Sequence, residues 1–304
     1  MKPFKNTIFL CCGLLGLSAC SEDALTPDHE KRYDTFMPDA SATDSTSILR
    51  REFKAETGCY LLFNDTLQHE LRGYDFNGLP VYFTERLEIN YEIGSSNLTS
   101  SAYSYVLLTR LEEQKQALQF LKERIMCHLG PGARPFSWFL TRKITTFNSN
   151  FNTTTYPSVA TGERSIAVAF DYLLSASRTE AQLQRYSLQI LDRVLYNLVM
   201  HRQAQFTDFR AVSNSDYGRT FTSTSNDDNT RILAEHGFLT KGENSSGIPT
   251  NGYYPNYQLD LTTYVTYAVT YDDATMERYY GNFPLVMQKF RLFKEQLTKI
   301  GFIF

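Results

Sequence analysis

Apolar positions recur along this chain with two periods, and the alternation between them sets out its elements. After a cap at Ser45 or Thr46, Ile48, Leu49 and Phe53 follow helical spacing to about Glu56, where Gly58 stops the helix. Cys59-Tyr60-Leu61-Leu62-Phe63 reads as a buried strand. From Phe83 to Ile93 the pattern alternates, with Leu87, Ile89, Tyr91 and Ile93 on one side, which predicts a half-buried strand. The stripe of Leu107, Leu111, Leu118, Leu121 and Ile125 predicts a long amphipathic helix from Tyr103 to about Leu129, closed by Gly130-Pro131-Gly132. Strands are expected at 136–140 and 165–170, separated by an Asn/Thr-rich loop at 147–158. Ser177-Arg178-Thr179-Glu180 opens a second long helix to about Gln203. Polar loops at 207–229 and 241–256 follow, then helices near 258–271 and 283–300. No internal repeat interrupts this order. A sheet-rich part at 45–176 and a helical part at 177–304 predict an α+β domain, one sheet covered by helices.

The residues ahead of this domain have a different character. Lys2 and Lys5 precede an apolar run from Ile8 to Leu17, which fits the hydrophobic region of a secretion signal and falls short of the roughly 20 residues a spanning helix needs. The run ends in Leu17-Ser18-Ala19-Cys20, which resembles the lipobox of bacterial lipoproteins, so residues 1–19 are read as a signal peptide and Cys20 as the lipidated residue. The alternative is ordinary cleavage with a free thiol, a reactive liability in an oxidising compartment. Residues 20–44 are polar, carry Pro27 and Pro38, and read as a tether. Ser21, Glu22 and Asp23 resemble the export signal of surface lipoproteins in the Bacteroidetes, which implies an outer-membrane anchor facing outward.

Removal of the leader takes away two lysines and no acid, moving the formal charge from −3 to −5. A mildly acidic chain has no electrostatic footprint for nucleic acid. Beyond Cys20 two cysteines remain, Cys59 and Cys127, and sequence leaves open whether they form a disulfide or stay as thiols.

Few patterns of reactive chemistry are present. The five histidines, at 29, 69, 128, 201 and 236, include no two within four residues, so the zinc motif His-Glu-x-x-His is missing. Asp65 with His69 is the nearest approach to metal spacing, and such pairs arise by accident on polar segments. There is no Cys-x-x-Cys, no Gly-x-Ser-x-Gly elbow and no phosphate loop.

From about Leu183 onward the order of segments is more informative. A long helix is followed by Gln205-Phe-Thr-Asp-Phe-Arg210, then Ala211-Val-Ser-Asn-Ser-Asp-Tyr217, Glu235-His-Gly-Phe-Leu-Thr240, Asp260-Leu-Thr-Thr-Tyr-Val265 and Pro284-Leu-Val-Met-Gln-Lys289. With the lipoprotein start and the stretch from Asp34 to Phe63, this succession resembles the substrate import-associated zinc metallohydrolase lipoproteins of the Bacteroidetes, metallopeptidase-like proteins of gluzincin type. The resemblance implies a zincin-like fold, a mixed-sheet lobe followed by a mainly helical one, and a zinc ion held by His-Glu-x-x-His on the long helix and a glutamate on a later helix. In this chain the corresponding positions are Val194, Leu195 and Leu198, and threonine, Thr263, stands where the glutamate would lie. A degenerate site, with no metal and no catalytic residue, is therefore expected. His201 near the end of the same helix reads as a solvated residue favoured by the helix dipole, and His236 likewise.

What the resemblance leaves is a groove between the two lobes. Tyr217, Tyr253, Tyr254 and Tyr257, with His201, are candidates to border it, where tyrosine could stack on a sugar or accept a peptide, although tyrosines also pack loops onto a body. The implied role is glycan or peptide binding by an inactive surface lipoprotein of a TonB-dependent import system, with the transporter and its substrate-binding lipoprotein as partners. An active hydrolase with unusual ligands and a structural subunit of an outer-membrane complex remain as alternatives.

Overall fold

A computed structural model describes residues 34–89, 101–148 and 150–304. The fold is mixed, a sheet with helices, as the α+β pattern predicts. Helix α1 (Ser45–Thr57) is capped by Asp44, whose side chain accepts from the Ser47 amide, and ends at Gly58 in the left-handed region. Strand β1 (Tyr60–Leu62) follows, then a hairpin of β2 (Thr66–Tyr74) and β3 (Pro80–Arg86) that forms its own two-stranded sheet. Strand β4 (Ser101–Leu107), helix α2 (Leu111–Arg124), the long strand β5 (Ser137–Asn148) and short strands β6 (Thr153–Thr155), β7 (Val159–Thr161) and β8 (Ser165–Ala169) complete the sheet-rich part.

β5 is the spine of the sheet. β1 and β8 run parallel to it, both across Ser137 to Phe139, so they flank it on opposite sides. β4 and β6 pair antiparallel with its far half. β7 runs antiparallel to β8 and ends the ladder β1-β5-β8-β7. Alternation then sorts the side chains. Leu61, Trp138, Leu140, Ile166 and Val168 join the main core with the helices, while Leu62, Phe139 and Ala167 face a second cluster with Phe36, Leu87 and Ile89.

The helical part begins with α3 (Asp171–Leu174) and α4 (Glu180–His201). Thr179 caps α4 with a full capping box, its side chain accepting from the Gln182 amide while the Gln182 side chain accepts from the Thr179 amide. α5 (Thr207–Val212), α6 (Asn226–Glu235), α7 (Tyr257–Thr270), α8 (Asp273–Tyr280) and α9 (Pro284–Ile300) follow. α4 lies against α7 and also against β7, so one long helix joins the helical layer to the edge of the sheet.

Several expectations are corrected. The single helix from 103 to 129 is a strand and a shorter helix, because Tyr103, Tyr105 and Leu107 alternate and β4 finds a partner in β5. The strand expected at 83–93 ends at Arg86; Leu87 and Ile89 are buried outside any strand, and positions 91 and 93 fall outside the described residues. The polar loop at 207–229 contains α5 and the start of α6, and the loop at 147–158 contains β6. Phe36 to Phe304 form one compact unit. Phe36 is buried, and Arg50 and Arg51 donate to the carbonyls of Phe36, Asp39 and Ala42, which fixes residues 36–42 to α1. Cys59 is a buried free thiol and Cys127 an exposed one. Among the described residues no helix is long and apolar enough to cross a membrane.

Candidate functional site: a cleft at the sheet edge beside a buried ion pair

The start of β7, at Val159, borders a cleft of about 620 Å³. Its floor and walls come from three segments distant in sequence: Tyr156 to Val159, Arg185 to Arg193 on α4, and Thr266 and Thr270 on α7. Thr266 donates from its hydroxyl to Asp192 at 2.7 Å, tying the two helices together at the base of the cleft. Arg185 and Arg193 are exposed on its helical wall. The strand itself offers main-chain groups. The Ala169 amide donates to the Ser158 carbonyl at 2.8 Å and the Gly162 amide to the Ser165 carbonyl at 3.0 Å, so residues 158, 160 and 162 bond toward β8. By the alternation of an antiparallel pair, the N–H and C=O groups of Val159 and Thr161 point away from β8. Among the described residues no further strand pairs with them.

The positions that the resemblance assigns to metal lie on the other side of α4. Val194 and Leu195 are buried in the main core with Leu261, Tyr264 and Val265 of α7, and Leu198 packs against the same cluster. Thr263 donates its hydroxyl to the Leu259 carbonyl one turn back at 2.7 Å. The two segments thus sit on adjoining helices, but three of the four side chains are hydrocarbon with no lone pair to offer. These residues do not fit a zinc ion. Among the described residues no group of three or more His, Cys, Asp or Glu is placed to hold a metal.

Next to this interface lies a polar cluster. Lys289 of α9 and Asp260 in the first turn of α7 are fully buried, and the Lys289 ammonium donates to Asp260 Oδ2 at 2.6 Å. Tyr217 donates its hydroxyl to the same oxygen at 2.8 Å. Ser213 Oγ accepts from Lys289 at 3.4 Å and donates to the His236 carbonyl at 2.7 Å. Rings of Phe209 and Phe238 lie 4.5 Å from the ammonium, with Tyr264 at 5.1 Å, an aromatic cage that partly replaces water. Burial pushes the Asp260 carboxyl up and the Lys289 ammonium down, each toward its neutral form, and their mutual attraction opposes both shifts. Asp260 Oδ1 has no hydrogen-bond partner among the described residues. A pair closed off from solvent cannot meet a ligand, and its place is to fasten the 207–256 segment to α7 and α9.

Of the tyrosines expected around a groove, Tyr217, Tyr254 and Tyr257 take part in this packing. Tyr217 has its hydroxyl in the ion-pair cluster and its ring against Phe238 and Tyr257. Tyr254 is only 6 % exposed, its ring packed at a tilt against Phe221, Phe238 and His236. Tyr257 donates to the Gln203 carbonyl at 2.8 Å, and burial pushes its hydroxyl up to about 12. Tyr253 keeps 40 % exposure, and His201 is exposed at the end of α4. None of the five lines the cleft at β7.

Sequence carried a trace of the ion pair. Lys289 interrupts the apolar stripe Val286, Phe290, Phe293 and Leu297, a charge where packing is required. The cleft left no such trace, because its side chains fall on polar helix faces. A larger groove of about 970 Å³ runs between α8 and α9 to Phe304, yet it presents ring and methylene surface and lacks the open main-chain groups of β7. No family model, no curated protein and no solved structure matches the chain.

Proposed function

We propose that this chain is a lipid-anchored surface lipoprotein of a TonB-dependent nutrient import system, built on a zincin-like fold, that binds an extended peptide in the β7 cleft without hydrolysing it. Lipid on Cys20 holds it to the outer membrane, and the transporter with its substrate-binding lipoprotein are its partners. The observation that carries the binding role is the outer edge of β7, which among the described residues has no partner strand and whose first residue, Val159, lines a cleft walled by α4 and α7. An extended peptide can add as a further strand there, its main chain bonding Val159 and Thr161 while alternate side chains enter the cleft. Between the two ligand classes the resemblance implies, unpaired amides and carbonyls in register favour peptide over glycan. The loss of hydrolysis follows from aliphatic side chains at Val194, Leu195 and Leu198, which no zinc ion can use.

Calorimetric titration of the mature chain with extended peptides and with oligosaccharides tests this. Thr161→Pro removes an outward N–H at an edge position where proline is tolerated, and peptide affinity is expected to fall by about three- to tenfold, the worth of one hydrogen bond. Saturable oligosaccharide binding that ignores this substitution would replace peptide by glycan as the ligand. Stoichiometric zinc in the purified protein, with peptide cleavage, would replace binding by hydrolysis.

A further inference from the structure

We infer that the β2–β3 hairpin is a second membrane contact, its tip seated in the headgroup layer of the bilayer that carries the lipid anchor; this rests on the lipid-anchor part of the proposed function. The hairpin projects from the domain as a sheet of its own, and its apolar side chains are turned outward. Phe76 at the turn is 97 % exposed, Tyr74 68 % and Leu79 61 %, with Val81 and Tyr82 about half exposed behind them. Asp75 is the sole charge between Tyr74 and Tyr82. Its Oδ1 is turned inward, accepting from the amides of Asn77 and Leu79 at 2.8 Å each. The ion pairs Arg72 with Glu70 and Arg86 with Asp65 stand further back toward the base.

Two features favour a lipid surface over a protein groove. Neighbouring strand residues point to opposite faces, so exposed Val81 and Tyr82 make both faces apolar, which a surrounding medium satisfies and a one-sided partner does not. The mixture of phenylalanine, leucine and tyrosine around a turn is also that of residues which settle at the membrane interface. Among the described residues neither strand has a partner on its outer edge, which restricts entry to the hydrated headgroup layer, because hydrocarbon would leave those main-chain groups unbonded. The length of chain ahead of the compact unit supports the same occupant. It enters the fold at Phe36, whose cluster includes Leu87 and, packed against it, Leu67 at the two feet of the hairpin. Between Cys20 and Phe36 the chain can extend to about 55 Å at most, against about 30 Å for a strand of nine residues such as β2. The anchor therefore permits the tip to reach the bilayer and concentrates it there.

The test uses the full lipidated chain with Phe76→Trp, reconstituted with phosphatidylethanolamine and phosphatidylglycerol vesicles. The native Trp138 is fully buried and is the only other tryptophan, so it gives a constant background. The introduced indole is expected to shift to shorter wavelength and to be quenched by brominated lipid, and Phe76→Ser with Leu79→Ser should lower residual vesicle binding of the chain carrying Cys20→Ser by at least about tenfold. An indole that emits as in water while the lipidated chain floats with the vesicles overturns the hairpin contact and leaves the anchor standing. If the chain with native Cys20 floats no better than the Cys20→Ser chain, the anchor reading fails, and the indole response to excess vesicles still decides the hairpin.

Discussion

Replacing Lys289 with methionine isolates the energetics of the helical part. Methionine keeps most of the aliphatic stem, so packing against Phe209 and Phe238 is largely retained while the charge is removed. What remains is a carboxylate with no exposure, one hydrogen bond from Tyr217 on Oδ2, and an Oδ1 with no partner among the described residues. Breaking a buried pair from one side costs about 3–5 kcal/mol. For a domain of this size, that corresponds to a fall in Tm of about 6–10 °C. Adding Asp260→Asn removes the stranded charge while keeping an acceptor for Tyr217, so the double variant should recover most of the loss. The pH dependence has a definite sign. Burial already raises the Asp260 carboxyl, and without Lys289 nothing cationic opposes that rise. A carboxyl whose native pKa lies above its unfolded value favours the fold most when protonated, and that contribution disappears as pH climbs through the native pKa. The single variant should therefore be closest to wild type near pH 4 and furthest from it at neutral pH. Thermal denaturation followed by circular dichroism at both pH values measures this. A drop below about 2 °C at pH 7, or a double variant no more stable than the single one, would show that the buried pair contributes little to the fold.

Two further outcomes follow from the same packing. Gly237 has φ +81°, and a Cβ there would lie 3.0 Å from Lys289 Cδ and 3.1 Å from Ser213 Oγ, so Gly237→Ala is expected to cost at least about 1–2 kcal/mol in denaturant titration; a neutral result would show that the cage can relax. Cys127 is exposed while Cys59 is buried with its thiol pushed up by burial, so a thiol reagent should label one of them rapidly and the other only on unfolding, and equal rates would contradict the described core.

Periodicity found the elements whose partners are close at hand and missed those made by distant pairing. α1, α4, α7 and α9 follow from apolar stripes with Gly58, Thr179, Asn256 and Pro284 at their ends. β4 was hidden because Leu107 also continues the stripe of α2, and only pairing with β5, some forty residues later, resolves the ambiguity. β2 and the first half of β3 escaped because these strands bury little on either face, so the alternation that marks a half-buried strand is missing, and only the end of β3 from Phe83 fell within an expected strand. Lys289 was visible as a charge on an apolar stripe, whereas its partner Asp260 sits at a helix start, where acids are ordinary. The cleft was illegible for a plainer reason: 156–159, 185–193 and 266–270 each read as ordinary surface, and only the packing of α4 against β7 and α7 assembles them.

Amide hydrogen exchange across 158–162, with and without bound peptide, interrogates the edge strand itself. Addition of a peptide along this edge predicts that the Val159 and Thr161 amides exchange readily in the free protein and become protected when the peptide is bound, while Ala160 and Gly162, already bonded to β8, change little. Peptide binding that leaves Val159 and Thr161 as fast as before would contradict it.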